Sequence, residues 1–250
     1  MSRFAFAERV RRIERRLVAE LGLEPRALPP ELAYLEGSFR GERATLEARA
    51  YSGPRVGYMR CVEIESCDLD IGNVLALARP ERSLPVLGID LVEVGRDTAV
   101  VVADLSPMAE AEGDRARERD VLARHQPPAA LPSAASSVHA ELPDWAREWF
   151  SASALSLRVG ADQAEASAAA TLAYVTAFIE LVRSDSVDTG GVDTAAVVTA
   201  RTERTALRQR AYCAAHRERD RGLLLLRRMF EPSLADRFLR EVLFPVEVPR

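Results

Sequence analysis

Six short extended segments in close succession, between residues 33 and 105, limit the possible folds of this chain more than any other feature. They cover residues 33–36, 44–51, 58–65, 69–77, 84–94 and 98–105, and turn residues separate them. Parallel neighbours would need crossover connections of about a dozen residues or more, and the chain leaves no room for them here. The pattern therefore predicts an antiparallel meander.

Helices are predicted on both sides of these strands. Phe6, Val10, Ile13, Leu17 and Leu21 recur at spacings of three and four, which is typical of an amphipathic helix. Further helices are predicted over residues 110–124, 142–157, 161–182, 194–219 and 223–243, and an exposed loop over 126–137. Several strands are apolar on both faces, so we expect helices to cover both. The predicted fold class is α+β, a three-layer α/β/α sandwich with a central antiparallel sheet, forming one domain over residues 1–250.

The composition excludes several kinds of chemistry. All 34 basic residues are arginine, so the chain has no lysine for a phosphate-binding loop, a pyridoxal Schiff base or a lysine nucleophile. Its three histidines and three cysteines match neither metal-ligand nor disulfide spacing. No glycine-rich dinucleotide motif and no Gly-x-Ser-x-Gly motif occurs. The net charge of −4 disfavours general binding of nucleic acid.

Membrane insertion and export are not expected from the sequence. The longest apolar runs, such as 223–226 and 99–103, are far shorter than the roughly 20 residues that span a bilayer. The N-terminal residues lead directly into Glu8, Arg9, Arg11 and Arg12 without the apolar core of a signal peptide. We therefore expect a cytoplasmic protein, acting as a monomer.

Asp90 is the first candidate for chemistry, because it interrupts an apolar run over residues 87–92. Burial disfavours the charged form of a carboxyl group, and an acid that donates a proton near neutral pH needs such surroundings. The alternative is a structural aspartate bonded to a backbone amide or an arginine. Asn73 lies in the preceding strand, so it is expected to face the same cavity, unless it is a bulge residue. Glu63 and Glu65 share a strand face that is expected to be solvated.

Residues 201–228 contain nine arginines and only three acidic residues, although the whole chain is acidic. This excess indicates an anionic partner, either a carboxylated ligand or an acidic protein. Asp220 lies in a charged run, 217–221, which could instead be a solvated helix face. Arg158 ends a run of mostly small and apolar residues, where a carboxylate partner would stabilise its guanidinium.

Five stretches, in order, resemble the ferredoxin-dependent bilin reductases over about residues 30–245. They are residues 84–90, 102–107, the segment from 142–145 through Phe150 and Ser151 to Arg158, the segment from Tyr212 and Cys213 to Asp220, and residues 238–245. The resemblance implies a bilin, an open-chain tetrapyrrole, held between the sheet and the C-terminal helices. It also implies reduced ferredoxin as the external electron donor, with no bound metal, flavin or nicotinamide.

The same resemblance assigns roles to particular residues. Asp90 matches the family's central proton-donating aspartate and Asp220 the second aspartate, whereas Arg158 and Arg221 match positions that bind propionates. The implied reaction is reduction of biliverdin or a related linear tetrapyrrole, by sequential single-electron and proton transfers through a substrate radical. The alternatives are a non-catalytic bilin carrier or sensor, or a reductase of chlorophyll catabolites on the same fold.

The chain departs from the family at one strand. The branch that resembles phycocyanobilin:ferredoxin oxidoreductase has a histidine on the strand before the aspartate and a glutamate on the strand before that. The histidine position falls at Leu75 or Asn73 here, and the glutamate position at Val62 or Glu63. Asparagine at the histidine position resembles phycoerythrobilin-type branches. Neither Asn73 nor Leu75 donates a proton at neutral pH, so we expect Asp90 and Asp220 to do so and to yield a dihydrobiliverdin or phycoerythrobilin-type product.

Overall fold

One antiparallel sheet forms the centre of the computed structural model, which describes residues 5–94, 98–109, 112–125, 144–185, 195–219 and 222–245. Its strands are β1 (Glu24–Arg26), β2 (Tyr34–Phe39), β3 (Glu42–Ser52), β4 (Val56–Ser66), β5 (Leu69–Ala78), β6 (Val86–Val94), β7 (Thr98–Ser106) and β8 (Leu155–Gly160). Their order is β1-β3-β4-β5-β6-β7-β8, and β2 pairs with the same edge of β3 as β1. The predicted meander is therefore confirmed.

The helices of the described residues lie before, between and after the strands in the sequence. They are α1 (Phe6–Leu21), α2 (Pro30–Ala33), α3 (Glu112–His125), α4 (Asp144–Arg147), α5 (Ala164–Ser184), α6 (Ala195–Arg219), α7 (Gly222–Met229) and α8 (Pro232–Phe238). A π-helical turn over Leu239–Leu243 follows α8. The predicted last helix is interrupted because Pro232 begins a new one, and the Glu231 side chain accepts hydrogen bonds from the Ser233 and Leu234 amides.

The helix predicted over residues 142–157 is wrong at its C-terminal end. In the described part of that range only α4 is helical, and residues 155–157 begin β8. Leu157 and Val159 are buried whereas Arg158 between them is exposed, which is the period-two pattern of a strand. This strand pairs with β7 and forms one edge of the sheet. The loop predicted over 126–137 lies outside the described residues.

Helices α1 and α5 cover one face of the sheet. Phe6, Val10 and Leu17 of α1 pack with Phe178 and Val182 of α5 in the same buried cluster as the inward side chains of the strands. By length and composition alone, Ala161–Ser184 could cross a membrane. However, 61% of its most apolar window is buried inside the protein, as in a core helix.

Helices α6, α7 and α8 cover the other face. Leu226, Met229 and Phe238 pack on one half of the sheet, and Tyr212 and Cys213 on the other half. Helices on both faces of one antiparallel sheet confirm the predicted α/β/α sandwich. The layer formed by α6 to α8 is the one that encloses the candidate site.

Candidate active site

Two rows of side chains cross the face of the sheet beneath α6. Register places Val62, Asn73, Asp90 and Val102 side by side on β4 to β7. The adjacent row on the same face consists of Arg60, Leu75, Gly88 and Asp104. Directly opposed residues in an antiparallel pair have Cβ atoms about 5 Å apart, so Asn73 and Asp90 are direct neighbours, as predicted.

The floor formed by these rows is only partly covered. Asn73, Asp90, Val92, Val100 and Val102 are half-buried although they lie on central strands. On the opposite face of β6 and β7, by contrast, Ile89, Leu91, Val101 and Ala103 are completely enclosed. The half-buried positions therefore leave a patch of central sheet accessible to a ligand.

A cavity of about 170 Å³ lies over Asp90. Its floor includes Asn73, Gly88, Asp90 and Asp104, and its upper wall is aromatic, consisting of Trp145, Phe150, Tyr212, His216 and Phe244. Ligand pockets usually measure about 300 to 1,000 Å³, so a large planar ligand would extend from this cavity over the rest of the half-buried floor.

Arg60 carries a buried positive charge beside Asp90. Its side chain is 1% exposed, and its guanidinium donates to the Asn73 side-chain oxygen and, from Nε, to the Leu243 carbonyl oxygen at 2.9 Å. Burial lowers the pKa of Arg60, whereas the neighbouring Tyr58 and Asp90 act to raise it. Arg60 therefore fixes the Asn73 side chain and is electrostatically coupled to the Asp90 carboxyl group.

Asp104 is a second buried carboxyl group at the floor. It accepts hydrogen bonds from the Ser106 hydroxyl at 2.7 Å and from the Ser151 hydroxyl at 2.5 Å and amide at 3.1 Å. Burial raises the pKa of Asp104 to about 6, although the hydrogen bonds from Ser151 and Ser106 oppose this shift. Asp104 can therefore exchange a proton close to neutral pH.

The Tyr212 hydroxyl reaches from α6 down to this row. A Cβ atom at Gly88 would lie 3.7 Å from it, in ordinary contact, so the hydroxyl lies directly over this strand. Burial raises the pKa of Tyr212, and Cys213, Asp104 and Asp90 raise it further. A hydrogen bond with Ser106 lowers this pKa, but by less. The hydroxyl therefore stays protonated and links Ser106 to the cavity.

His216 lies one helical turn after Tyr212. Its ring lies 4.0 Å from the Tyr212 ring and 5.0 Å from the Phe244 ring between centroids, and Trp145 meets it edge-on at 5.3 Å. Its Nδ1 donates to the Tyr212 carbonyl oxygen at 2.8 Å. The helix therefore brings a histidine into the cavity that holds Asp90.

Comparison with known proteins identifies the family. A family model described as ferredoxin-dependent bilin reductase matches residues 10–245. The chain belongs to this family. It is 31% identical to the phycocyanobilin:ferredoxin oxidoreductase of a Synechococcus species over 228 residues, which are 90% of this chain and 86% of the relative. The Gloeobacter violaceus enzyme of the same name is 29% identical over 235 residues, 90% and 83% of the two chains.

The fold of this bilin reductase also matches a solved relative. Tomato phytochromobilin synthase, crystallised in complex with biliverdin, aligns over 96% of this chain and 83% of its own, with a TM-score of 0.72 and 17% identity. The sandwich is thus conserved in shape where the sequences have diverged. The chain is accordingly a ferredoxin-dependent bilin oxidoreductase with Asp90 at the floor of its cavity.

The other predicted site residues fall in different places. Arg158 is exposed on the edge strand β8, opposite Val100 and on the same face as Asp90, so its expected apolar surroundings are wrong. Arg158 lies two strands away from Asp90 and two residues further along its strand, so the two Cα atoms are about 12 Å apart. Asp220 and Arg221 lie outside the described residues.

Glu63 does not belong to the site. It points to the α1 face, where it is 3% exposed and binds Arg49 and, at 3.2 Å, Arg11. The solvated face predicted for it is therefore wrong, because Arg11 of helix α1 and Arg49 of β3 bind this carboxylate. Val62 is the residue of this pair that lies on the site face, beside Asn73.

Sequence reasoning missed Arg60, Asp104 and His216. A signal existed for Arg60, because β4 is apolar on both sides of it, and a charge there needs a partner just as Asp90 does. Asp104 belongs to a stretch that predicts a strand and resembles the family, and nothing in that stretch marks its carboxyl group as part of a site. His216 gave no signal, since a single histidine in a charged helix is usually a surface residue.

Glu118 of α3 provides a test of the electrostatics next to the site. Burial raises its pKa to about 8, with Asp114 and Asp104 as further causes. The folded protein therefore retains this proton longer than the unfolded chain does, so the free energy of unfolding falls as pH rises from about 4.5 to 8. We expect Glu118→Gln to raise the melting temperature by several degrees at pH 8 and hardly at all at pH 5, in thermal melts. Equal shifts at both pH values would contradict the assignment.

Proposed function

We propose that this protein reduces biliverdin or a related linear tetrapyrrole, using electrons delivered one at a time by ferredoxin. The observation that carries the proposal is a carboxyl group, Asp90, at the floor of a cavity with an aromatic upper wall and a half-buried apolar extension. Such a cavity suits a flat conjugated molecule with polar nitrogens near its centre. The names of the curated relatives and the biliverdin bound to the tomato enzyme support this substrate class.

Reduction of one double bond consumes two electrons and two protons. Two reduced ferredoxins each give one electron and leave as oxidised ferredoxins, so the substrate passes through a radical after the first transfer. Asp90 donates the first proton to the bilin, and solvent protonates it again after the reaction. Asn73, held by Arg60, orients the pyrrole region beside Asp90.

Residues assigned by family resemblance would bind the propionates and handle the second proton. Arg158 is exposed on the site face, where it can bind a propionate projecting toward the edge of the sheet. Arg221 would bind the other propionate, and Asp220 would donate or position the second proton.

Ferredoxin, an acidic protein, is expected to approach the arginines of residues 201–228. Arg204, Arg210, Arg219 and Arg228 are exposed there. In the same stretch, Arg208 and Arg217 donate to the carbonyl oxygens of Pro107 and Phe244, and Arg227 pairs with Asp236. The exposed group would steer ferredoxin, and added salt would weaken the attraction.

The proposal is tested by anaerobic incubation of the purified protein with biliverdin and a ferredoxin-reducing system, followed by absorption spectroscopy and chromatography of the pigment. We expect conversion that requires both the protein and ferredoxin, and a purified protein without stoichiometric flavin or iron. Tight binding without conversion would instead identify a carrier or sensor. Conversion only of chlorophyll breakdown products would change the substrate class.

A further inference from the structure

His216 occupies a position that the proposed reaction does not yet use. It is buried, at 7% exposure, and lines the cavity with Asp90, Asn73 and Arg60. Two aromatic rings and the edge of a third enclose the imidazole, so its orientation toward the cavity is fixed. A titratable side chain held this firmly beside a carboxyl group is a candidate for proton transfer.

The hydrogen bond at Nδ1 determines which nitrogen can transfer a proton. Nδ1 donates to the Tyr212 carbonyl oxygen at 2.8 Å, and a carbonyl oxygen can only accept, so the proton on Nδ1 stays in place. The nitrogen that gains and loses a proton is then Nε2. The contact to the backbone carbonyl thus fixes the tautomer of the ring.

Charged groups from three strands line the cavity together with this ring. The lining residues include the carboxyl groups of Asp90 on β6 and Asp104 on β7, against the guanidinium of Arg60 on β4. Two further groups lie on α6, the helix of His216. Tyr212 stays neutral, and Arg217 does not line the cavity but donates to the Phe244 carbonyl oxygen at 2.6 Å.

We propose that His216 is a proton donor in bilin reduction, supplying from Nε2 the proton that accompanies the second electron. After Asp90 protonates the substrate and the first electron forms the radical, the second ferredoxin gives its electron and the His216 imidazolium gives its proton to a bilin carbon. The neutral imidazole then takes a proton from solvent, so two electrons and two protons are consumed per double bond. Helix α6 would thus supply the histidine that the strand lacks, and of the two roles proposed for Asp220 only the positioning role would remain. This inference rests on the function proposed above.

The test uses the full-length protein with His216→Asn and His216→Gln. Asparagine retains a donor near the position of Nδ1, and glutamine retains one near that of Nε2, but neither titrates. His125→Asn is the matched control. His125 does not line the cavity, and its Nε2 lies 2.6 Å from the Glu180 carboxylate. We expect both His216 variants to bind biliverdin, to form the radical at the wild-type rate in electron paramagnetic resonance, and to consume it on the order of 10²-fold more slowly. The control should match wild type.

Three outcomes would overturn the inference. Radical decay at the wild-type rate in both His216 variants would leave the ring a structural role. Slow decay in Asp220→Asn, with normal decay in the His216 variants, would assign the second proton to Asp220. If His216→Gln turns over normally and His216→Asn does not, the ring acts through a hydrogen bond from Nε2 and not through proton transfer. Wild-type protein that does not reduce biliverdin would contradict the proposed function itself, and is seen before any variant is made.

Discussion

Asp90→Asn is expected to bind biliverdin about as well as wild type and to lose turnover by a factor on the order of 10² to 10⁴. Asparagine has nearly the shape of aspartate, so the cavity and the half-buried floor remain to hold the substrate. An amide cannot donate a proton and be reprotonated at neutral pH. The reaction should therefore stop after the first electron, with the bilin radical visible by electron paramagnetic resonance.

The comparison requires a carboxylate that does not reach the substrate. Asp120→Asn is suitable, because Asp120 is exposed on α3 and does not line the cavity. It should leave turnover, binding and radical decay unchanged. If Asp90→Asn instead turns over at a rate close to that of wild type, Asp90 is a structural partner of the buried Arg60, and the proton must come from another group.

The fold could be predicted largely because its sheet is local in sequence. Strands β3 to β7 pair with their neighbours along the chain, so alternation and turn residues were enough to indicate the meander. Strand β8 escaped because it is distant in sequence from β7 and has only six residues. The helix predicted over residues 142–157 overlaps its first residues, and pairing with β7 decides the outcome.

The site was only half predictable for a similar reason. Asn73 and Asp90 lie on adjacent strands, so their contact follows from the meander alone. His216 and Phe244 join them only because α6 and the final turn fold back over the sheet, which no local pattern indicates. Glu63 lies on the opposite face of β4 from Arg60 and Val62, where Arg11 of α1 and Arg49 of β3 bind it.

Arg60 contributes to both the site and the fold. It is held by hydrogen bonds to the Asn73 side chain and to the Leu243 carbonyl, which lies in the turn after α8. It therefore connects the central strands to the C-terminal helical layer. Its guanidinium also lies over the Phe244 ring, 5.5 Å from the centroid. Burial disfavours this charge, so its retention depends on all of these partners.

Arg60→Met is expected to lower the free energy of unfolding by about 3 kcal/mol, because methionine fills part of the space but leaves two partly buried acceptors without their donor and Asp90 without its cation. Urea unfolding at constant slope would measure this change. Arg43→Met is the matched control: Arg43 is exposed in a surface pair with Glu36, so its loss should have little effect. An Arg60→Met protein as stable as wild type would mean that relief of the buried charge offsets the lost hydrogen bonds. Arg60 would then be retained for its action on Asn73 and Asp90, and not for folding.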